Sequence, residues 1–261
     1  MAFASDLKTI LQMAIGAGRG RNHAERLENF YSRQASTYDA FRQRLLHGRR
    51  DLYLRLPTPK DGIWIDMGGG TAANLEVLGA RLQQLKQVYV VDLCSSLLQV
   101  ARRRISVNGW SNVTAVNADV TAFRPPGKKA DIVTFSYALT MIPDWSRALD
   151  HAYALLAPGG SLGVVDFYTS PAQWDLPLPC PSSAQRWFWP RWFAHDRVFL
   201  NPEHPAMLHR LFQATHMAGY RERVPYLPGL KVPYYQFIGY KALGKASHSA
   251  HHSPGALANE I

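Results

Sequence analysis

The sequence predicts an α/β fold: a doubly wound, mostly parallel, seven-stranded sheet. A helical cover precedes the sheet, and an aromatic insertion precedes its last two strands. Three observations carry this. Ile63-Trp64-Ile65-Asp66-Met67-Gly68-Gly69-Gly70-Thr71-Ala72 is an apolar run, short enough for a buried strand, that ends on an acid and breaks into three glycines before helical periodicity resumes. Gln87-Val88-Tyr89-Val90-Val91-Asp92 repeats the form, its acid 22 residues past Gly70. Between residues 61 and 170 strand-like runs alternate with helical patterns, which implies parallel strands joined by right-handed crossovers.

At 261 residues the chain suits one large domain or one domain with additions. Its apolar share of 47% supports a sizeable core, and no apolar run approaches a membrane-spanning length. Met1-Ala2-Phe3 opens a segment that contains Asp6 and Lys8 and has no cleavage pattern after it, so no secretory signal is expected. Cys94 and Cys180 do not make a disulfide framework and point to a reducing compartment, the cytoplasm. Internal repeats are not evident.

The net charge of +10 is unevenly spread: residues 1–60 carry 11 Lys/Arg against 5 acids, residues 61–170 carry 9 against 9, and residues 171–243 carry 8 against 4. A neutral core with basic flanks suits an anionic surface, nucleic acid or phospholipid headgroups, or serves only solubility.

In order, Phe3, Leu7, Ile10, Leu11, Ala14 and Ile15 fall on one helical face, and Gly16-Ala17-Gly18-Arg19-Gly20-Arg21 ends the pattern. Such a helix is either a membrane-surface anchor or one packed on its own domain or on a partner. Asn22 to Tyr31 and Ser36 to Arg50 read as helical, with Ser36 or Thr37 able to cap, and Pro57 and Pro59 close this cover. Tyr31 and Tyr38 are two turns apart and share a face. Residues 1–60 are therefore an N-terminal cover, and residues 61–243 the sheet domain.

Glycines at the first turn let the backbone bend sharply and let a ligand approach where a Cβ would collide. Asp92 stands where a carboxylate can take the ribose hydroxyls of a nucleoside bound at the first strand. A helix (Ser95 to Val107), a third strand (Val113 to Val116) and Asn117-Ala118-Asp119-Val120 follow. The fourth strand, Ala130 to Phe135, runs into Ser136-Tyr137-Ala138. A helix from Trp145 to Leu156, a turn at Pro158-Gly159-Gly160 and a fifth strand from Ser161 to Phe167 complete the parallel part. Next come a proline-rich loop (Pro171 to Pro181), the aromatic stretch Arg186 to Arg197 and a helix from Pro205 to Ala218. Strands Tyr220 to Tyr226 and Tyr234 to Lys241, joined through Pro228-Gly229, then pair antiparallel at the sheet edge. Residues 244–261 read as a flexible tail or linker; its His248, His251 and His252 are read as part of that tail, and no metal is assigned.

Asp66-x-Gly68-x-Gly70, Asp92, Asn117-Ala118-Asp119 and Leu156-Ala157-Pro158-Gly159-Gly160 together resemble the class I S-adenosylmethionine-dependent methyltransferases over residues 61 to 170. Ala72 is a departure at the usual third small position. A dinucleotide dehydrogenase shares the first turn and the acid but requires neither the Asn-Ala-Asp segment nor the Pro-Gly-Gly turn. The resemblance implies S-adenosylmethionine as cofactor. Gly68, Gly69 and Gly70 would admit its amino-acid end, Asp66 would organise that turn, Asp92 would accept from the ribose with Leu93 against the adenine, and Asp119 and the Val120 amide would meet the adenine edge. Ser136 and Tyr137 would lie where the methyl leaves. Asp66 and Asp119 are otherwise turn or helix caps.

The flanks Tyr38-Asp39-Ala40-Phe41-Arg42, Leu45-Leu46-His47-Gly48-Arg49 and Trp189 to Phe199 resemble the N-methyltransferase of betaine-lipid synthesis. That family trimethylates the homoserine amine of diacylglycerylhomoserine. The resemblance implies a lipid substrate, a peripheral place on a membrane of anionic lipids (the endoplasmic reticulum face in a eukaryote), and a fusion or partner domain making the homoserine lipid. In such a reaction aromatic faces hold cations at about 0.5–2 kcal/mol per contact. Tyr31, Tyr38 and Tyr137 are the candidates, with Tyr234 and Tyr235 behind them. Proton removal falls to His195, Asp196 or His47 through water, and Arg49 or Arg42 can bind a carboxylate of cofactor or substrate. Trp187, Phe188, Trp189, Trp192 and Phe193 suit either a bilayer interface or a lid over the site. Two other readings stand beside this one: another small-molecule, phospholipid-headgroup or quinone methyltransferase, and a basic nucleic-acid-binding module. No Arg/Lys-rich helix with interleaved aromatics supports the last, so no nucleic acid is expected.

Overall fold

A computed structural model describes residues 21–31, 45–195, 197–224, 227 and 229–243. The amphipathic helix expected at residues 3–15, Tyr38, Arg42, Asp196 and the tail from Gly244 lie outside the described residues.

The cover supplies helices α1 (His23–Tyr31) and α2 (Arg49–Arg55). The first apolar run forms β1 (Ile63–Met67), whose five residues are all buried. Then follow β2 (Gln87–Asp92), α3 (Ser95–Val107), β3 (Val113–Asn117), β4 (Ala130–Ser136), α4 (Trp145–Leu155) and β5 (Leu156–Phe167). The aromatic stretch is α5 (Ser183–His195), and α6 (Glu203–Leu211), β6 (Gln213–Arg223) and β7 (Lys231–Tyr240) end the described chain.

The seven strands lie in one sheet in the order β3-β2-β1-β4-β5-β7-β6. Every neighbouring pair up to β5 is parallel, and β7 runs antiparallel to both β5 and β6. The chain moves outward from β1 to β3 and then returns to place β4 on the other side of β1. That reversal opens a crevice at the carboxyl ends of β1 and β4, where ligands of open α/β sheets bind. Apolar clusters fill both faces of the sheet, and Tyr31, Leu45, Leu46, Leu52, Tyr53 and Leu56 of the cover belong to one of them. The cover is thus built into the core of the sheet domain.

Three expectations need correction. The helix expected from Pro205 to Ala218 stops at Leu211: Phe212 turns extended (φ −122°, ψ 150°), and Gln213–Arg223 is strand. β7 is buried along nearly its whole length and needs a partner on its free edge, so residues 213–223 pair with 231–240 despite their helical periodicity. The segment after the glycines, expected to be a regular helix, is a 3₁₀ stretch (Ala73–Gln84) broken at Gly79, whose φ of +52° and ψ of −131° are non-helical. The Pro158-Gly159-Gly160 turn does not precede β5 but lies within it, as an irregularity in its pairing with β4 between Ala130 and Ile132. Gly159 takes a φ of +77° there and its N–H bonds to the Lys241 carbonyl.

Candidate active site

The crevice holds a cleft of about 500 Å³. Its floor is Gly68 and Asp92, its walls are Leu93, Leu97, Val120, Tyr137 and Ala138, and α1 closes it with His23, Leu27 and Tyr31. Met141 and Ile142 complete it. One carboxylate among apolar side chains suits a ligand with an apolar plane and a pair of hydroxyls.

Glycine is required at Gly68. Its φ is +70°, and a Cβ there would stand 2.7 Å from the Ala138 Cβ. At Gly69 a Cβ would fall 2.8 Å from Asp66 Oδ2. Asp92, at the end of β2, is fixed by two backbone donors: the Gly70 N–H to Oδ2 at 2.9 Å and the Cys94 N–H to Oδ1 at 2.8 Å.

Asp66 lies beneath the glycine turn, wholly buried. Its Oδ1 accepts the Tyr53 hydroxyl at 2.6 Å and the Thr134 hydroxyl at 2.8 Å, and its Oδ2 has no partner among the described residues. Burial pushes its carboxyl up to about 6, against the pull of Tyr53 and Thr134. A buried carboxylate oxygen facing the turn favours a cationic group above it.

Tyr137 takes a left-handed backbone (φ +54°) directly after β4. Its N–H bonds to the Val165 carbonyl at 2.7 Å, and its hydroxyl donates to the His47 carbonyl at 2.7 Å. Its ring meets Phe167 edge-on at 4.6 Å, and Phe167 stacks on Phe193 of α5 at 4.6 Å. Tyr31 reaches the opposite wall, its hydroxyl 2.9 Å from the Met141 sulfur.

The structure therefore gathers Tyr31, Gly68, Asp92, Leu93, Val120 and Tyr137 at one cleft, with Asp66, Gly69 and Gly70 shaping its floor. Asp119 precedes the cleft-lining Val120 and its charge acts on His23 of the cleft; it is exposed and caps its own turn, Oδ1 accepting the Thr121 N–H at 2.7 Å and the Thr121 hydroxyl at 2.8 Å. Other expected residues are placed elsewhere. Ser136 is buried with its hydroxyl unpartnered among the described residues, and it does not line the cleft. His195 ends α5 exposed and is not brought to the cleft. Arg49 and His47 face a second cavity. Tyr234 stacks on His47, while Tyr235 is buried beside Asp166, its hydroxyl pushed well up by burial.

Several contributors were not expected from the sequence. His23 lines the cleft, and burial and Arg26 lower its pKa. Glu28 on α1 latches the cover to α3, its Oε2 accepting the Ser96 N–H at 3.2 Å. Asp166, at the end of β5, holds the 3₁₀ turn Leu139–Met141: Oδ1 accepts the Thr140 hydroxyl at 2.8 Å and Oδ2 the Thr140 N–H at 3.2 Å. Burial pushes Asp166 up to about 7. An acid closing an apolar strand is the signal that marked Asp66 and Asp92, and it marks Asp166 equally.

Residues 38–223 match the family model described as a methyltransferase domain. The ubiquinone/menaquinone biosynthesis C-methyltransferase of Hydrogenovibrio crunogenus is 26% identical over 149 residues, 55% of this chain and 59% of that protein. The Escherichia coli enzyme of the same name is 26% identical over 150 residues, 55% and 60% of the two chains. This chain thus spans about three fifths of the length of these relatives. Among solved structures, phosphoethanolamine N-methyltransferase 2 of Haemonchus contortus, in complex with S-adenosyl-L-methionine, superimposes with a TM-score of 0.65 at 12% identity, covering 85% of this chain and 60% of that one. The N-methyltransferase NodS of Bradyrhizobium japonicum gives 0.54 at 15% identity, covering 78% and 98%. At such identities the likeness is one of fold.

Proposed function

The chain belongs to the methyltransferase-domain family, and we propose that it uses S-adenosylmethionine to methylate the homoserine amine of a diacylglyceryl lipid at a membrane surface, to the trimethylated betaine form. S-adenosylmethionine supplies a methyl group activated on a sulfonium. The cleft fits it: Asp92 suits the ribose hydroxyls, Leu93, Val120 and Ala138 suit the adenine, and the glycine turn over the unpartnered Asp66 Oδ2 suits the cationic amino-acid end.

Amine methylation asks a protein for positioning and dry surroundings more than for a strong acid or base. Tyr31 and Tyr137 offer aromatic faces to the cationic groups, and Tyr137 is held rigid by its bonds to Val165 and His47. The observation that carries the lipid reading is α5. Its buried side, Trp189 and Phe193, continues the ring stack from Tyr137 through Phe167. Its outer side presents Trp187, 60% exposed, with the Arg191 guanidinium 4.7 Å over the ring. A tryptophan with a neighbouring cation is suited to an anionic bilayer interface. The contact proposed is peripheral, on the cytoplasmic face; among the described residues no helix is long and apolar enough to cross a membrane. The partner proposed is a domain, fused or separate, that makes the homoserine lipid.

A second reading, quinone C-methylation, draws on the sequence likeness to the quinone methyltransferases. Incubation with methyl-labelled S-adenosylmethionine and vesicles holding either diacylglycerylhomoserine or a demethylated quinone separates the two. Label in the trimethylated lipid supports the first reading, and label only in the quinone overturns it.

A further inference from the structure

We infer that a second, basic cavity beside the cofactor cleft binds the anionic group, carboxylate or phosphate, of the acceptor molecule. This rests on the methyltransferase reading and adds to it the charge of the substrate. The cavity, open and about 1060 Å³, lies between the His47-Gly48 turn and the start of the 3₁₀ stretch after the glycines. Arg49 and Arg50 enter it from one side and Asn74 and Glu76 from the other.

Among the described residues its lining is positive: Glu76 is the lone acid there, and it is matched by Arg104, 2.6 Å away. Arg50 is exposed and makes no ion pair among the described residues. Among the bonds that aim Arg49 are Nε to the Leu46 carbonyl at 3.2 Å and Nη1 to Asn74 Oδ1 at 3.3 Å.

The walls are built onto the sheet. The His47 carbonyl accepts the Tyr137 hydroxyl, and the Gly48 carbonyl accepts Gln236 Nε2 at 2.8 Å. A Cβ on Gly48 would stand 2.6 Å from the Tyr234 ring, so the turn is packed tight against β7. His47 Nε2 is within 3.2 Å of the Arg223 carbonyl, which accepts only, so that nitrogen carries a proton. A guanidinium held as Arg49 is binds an anion with little ordering cost.

The two cavities share one partition. Tyr137 lines the cofactor cleft on one side, and its hydroxyl ends on His47, which lines the basic cavity on the other. An acceptor with its anion between Arg49 and Arg50 therefore has its amine on the side of the partition that faces the cleft.

The test is a titration of the arginine side-chain N–H resonances with inorganic phosphate and, separately, with acetate. The expected result is a saturable shift with one or both anions, weakened about fivefold in Arg50→Gln, with S-adenosylmethionine affinity unchanged in that variant. Whichever anion binds more tightly identifies the group. No saturable shift, or an anion affinity in Arg50→Gln equal to that of the wild type, overturns the inference. It is also overturned if Arg50→Gln weakens S-adenosylmethionine but spares 5′-methylthioadenosine, which lacks the amino-acid end, because the cavity would then serve the cofactor. Failure of the wild-type protein to bind S-adenosylmethionine at all would strike the methyltransferase reading instead, and the anion titration reads out separately from it.

Discussion

The carboxylate of Asp92 and the amide of Gly70 meet at 2.9 Å across 22 residues of chain. The bond ties the end of β2 to the end of the glycine turn after β1, so the acid expected to hold the ribose also fixes the backbone under it.

Asp92→Asn should therefore hurt twice. An amide presents one oxygen and one NH₂, so one of the two backbone N–H groups now capped by the carboxylate faces a donor. The loss of a charge-assisted acceptor costs about 1.5–3 kcal/mol, so S-adenosylmethionine should bind roughly ten- to a hundredfold more weakly. Calorimetry on the folded variant measures this, and undiminished affinity would remove Asp92 from the cofactor site.

Tyr53 donates to Asp66 at 2.6 Å and accepts from Asn74 at 3.3 Å, wholly buried against Trp64. Its bond to Asp66 favours the ionised carboxylate. In Tyr53→Phe that support goes, and the carboxyl titrates above its present value of about 6. Attraction for a cationic ligand is lost as pH falls through the Asp66 pKa, so cofactor affinity in the variant should begin to drop at a higher pH than in the wild type. Dissociation constants from pH 5.5 to 8.5 test this; superimposable profiles would detach Asp66 from the cofactor.

His204 is buried, stacks edge-on against Trp145 at 4.5 Å, and neither ring nitrogen has a hydrogen-bond partner among the described residues. Burial lowers its pKa to about 4. As pH falls below 6.5 the unfolded chain takes up this proton while the folded chain does not, so stability drains away between 6.5 and 4, by up to about 3 kcal/mol. His204→Phe should melt higher than the wild type by a margin that widens from pH 7 to pH 4.5. A constant margin would mean that His204 is charged or solvated in the fold.

Most of the sheet was legible in the sequence because buried parallel strands are short apolar runs, and here Asp66, Asp92 and Asp166 each stand at or next to a strand's end. Residues 213–218 were misread because periodicity reports which side chains can face a core, whereas their conformation is decided by the free edge of β7. The cleft's acids and glycines were legible for a similar local reason. An acid after a strand serves a turn and a ligand with the same geometry, so Asp119 was legible as either, and its bonds to Thr121 show the turn role. His23, Tyr53 and Thr134 gave no signal. Their place comes from contacts between elements far apart in sequence, as in the Thr134–Asp66 bond.

α5 separates two roles that its composition cannot, since Trp187 is 60% exposed while Phe193, six residues on, is 3% exposed and wedged between Trp189 and Phe167. Phe193→Ala removes a buried ring and should cost about 3–5 kcal/mol of stability, loosening the stack that supports Tyr137. Trp187→Ala removes an exposed ring and should leave the melting temperature within about a degree. If this face meets a bilayer, the same variant should lose most of its sedimentation with phosphatidylserine-containing vesicles, because a tryptophan at the headgroup level contributes both area and amphipathic fit. Arg191→Ala should lose part of it, in a salt-dependent way. Equal pelleting of wild type and Trp187→Ala would place the bilayer contact elsewhere and leave the exposed ring without that role.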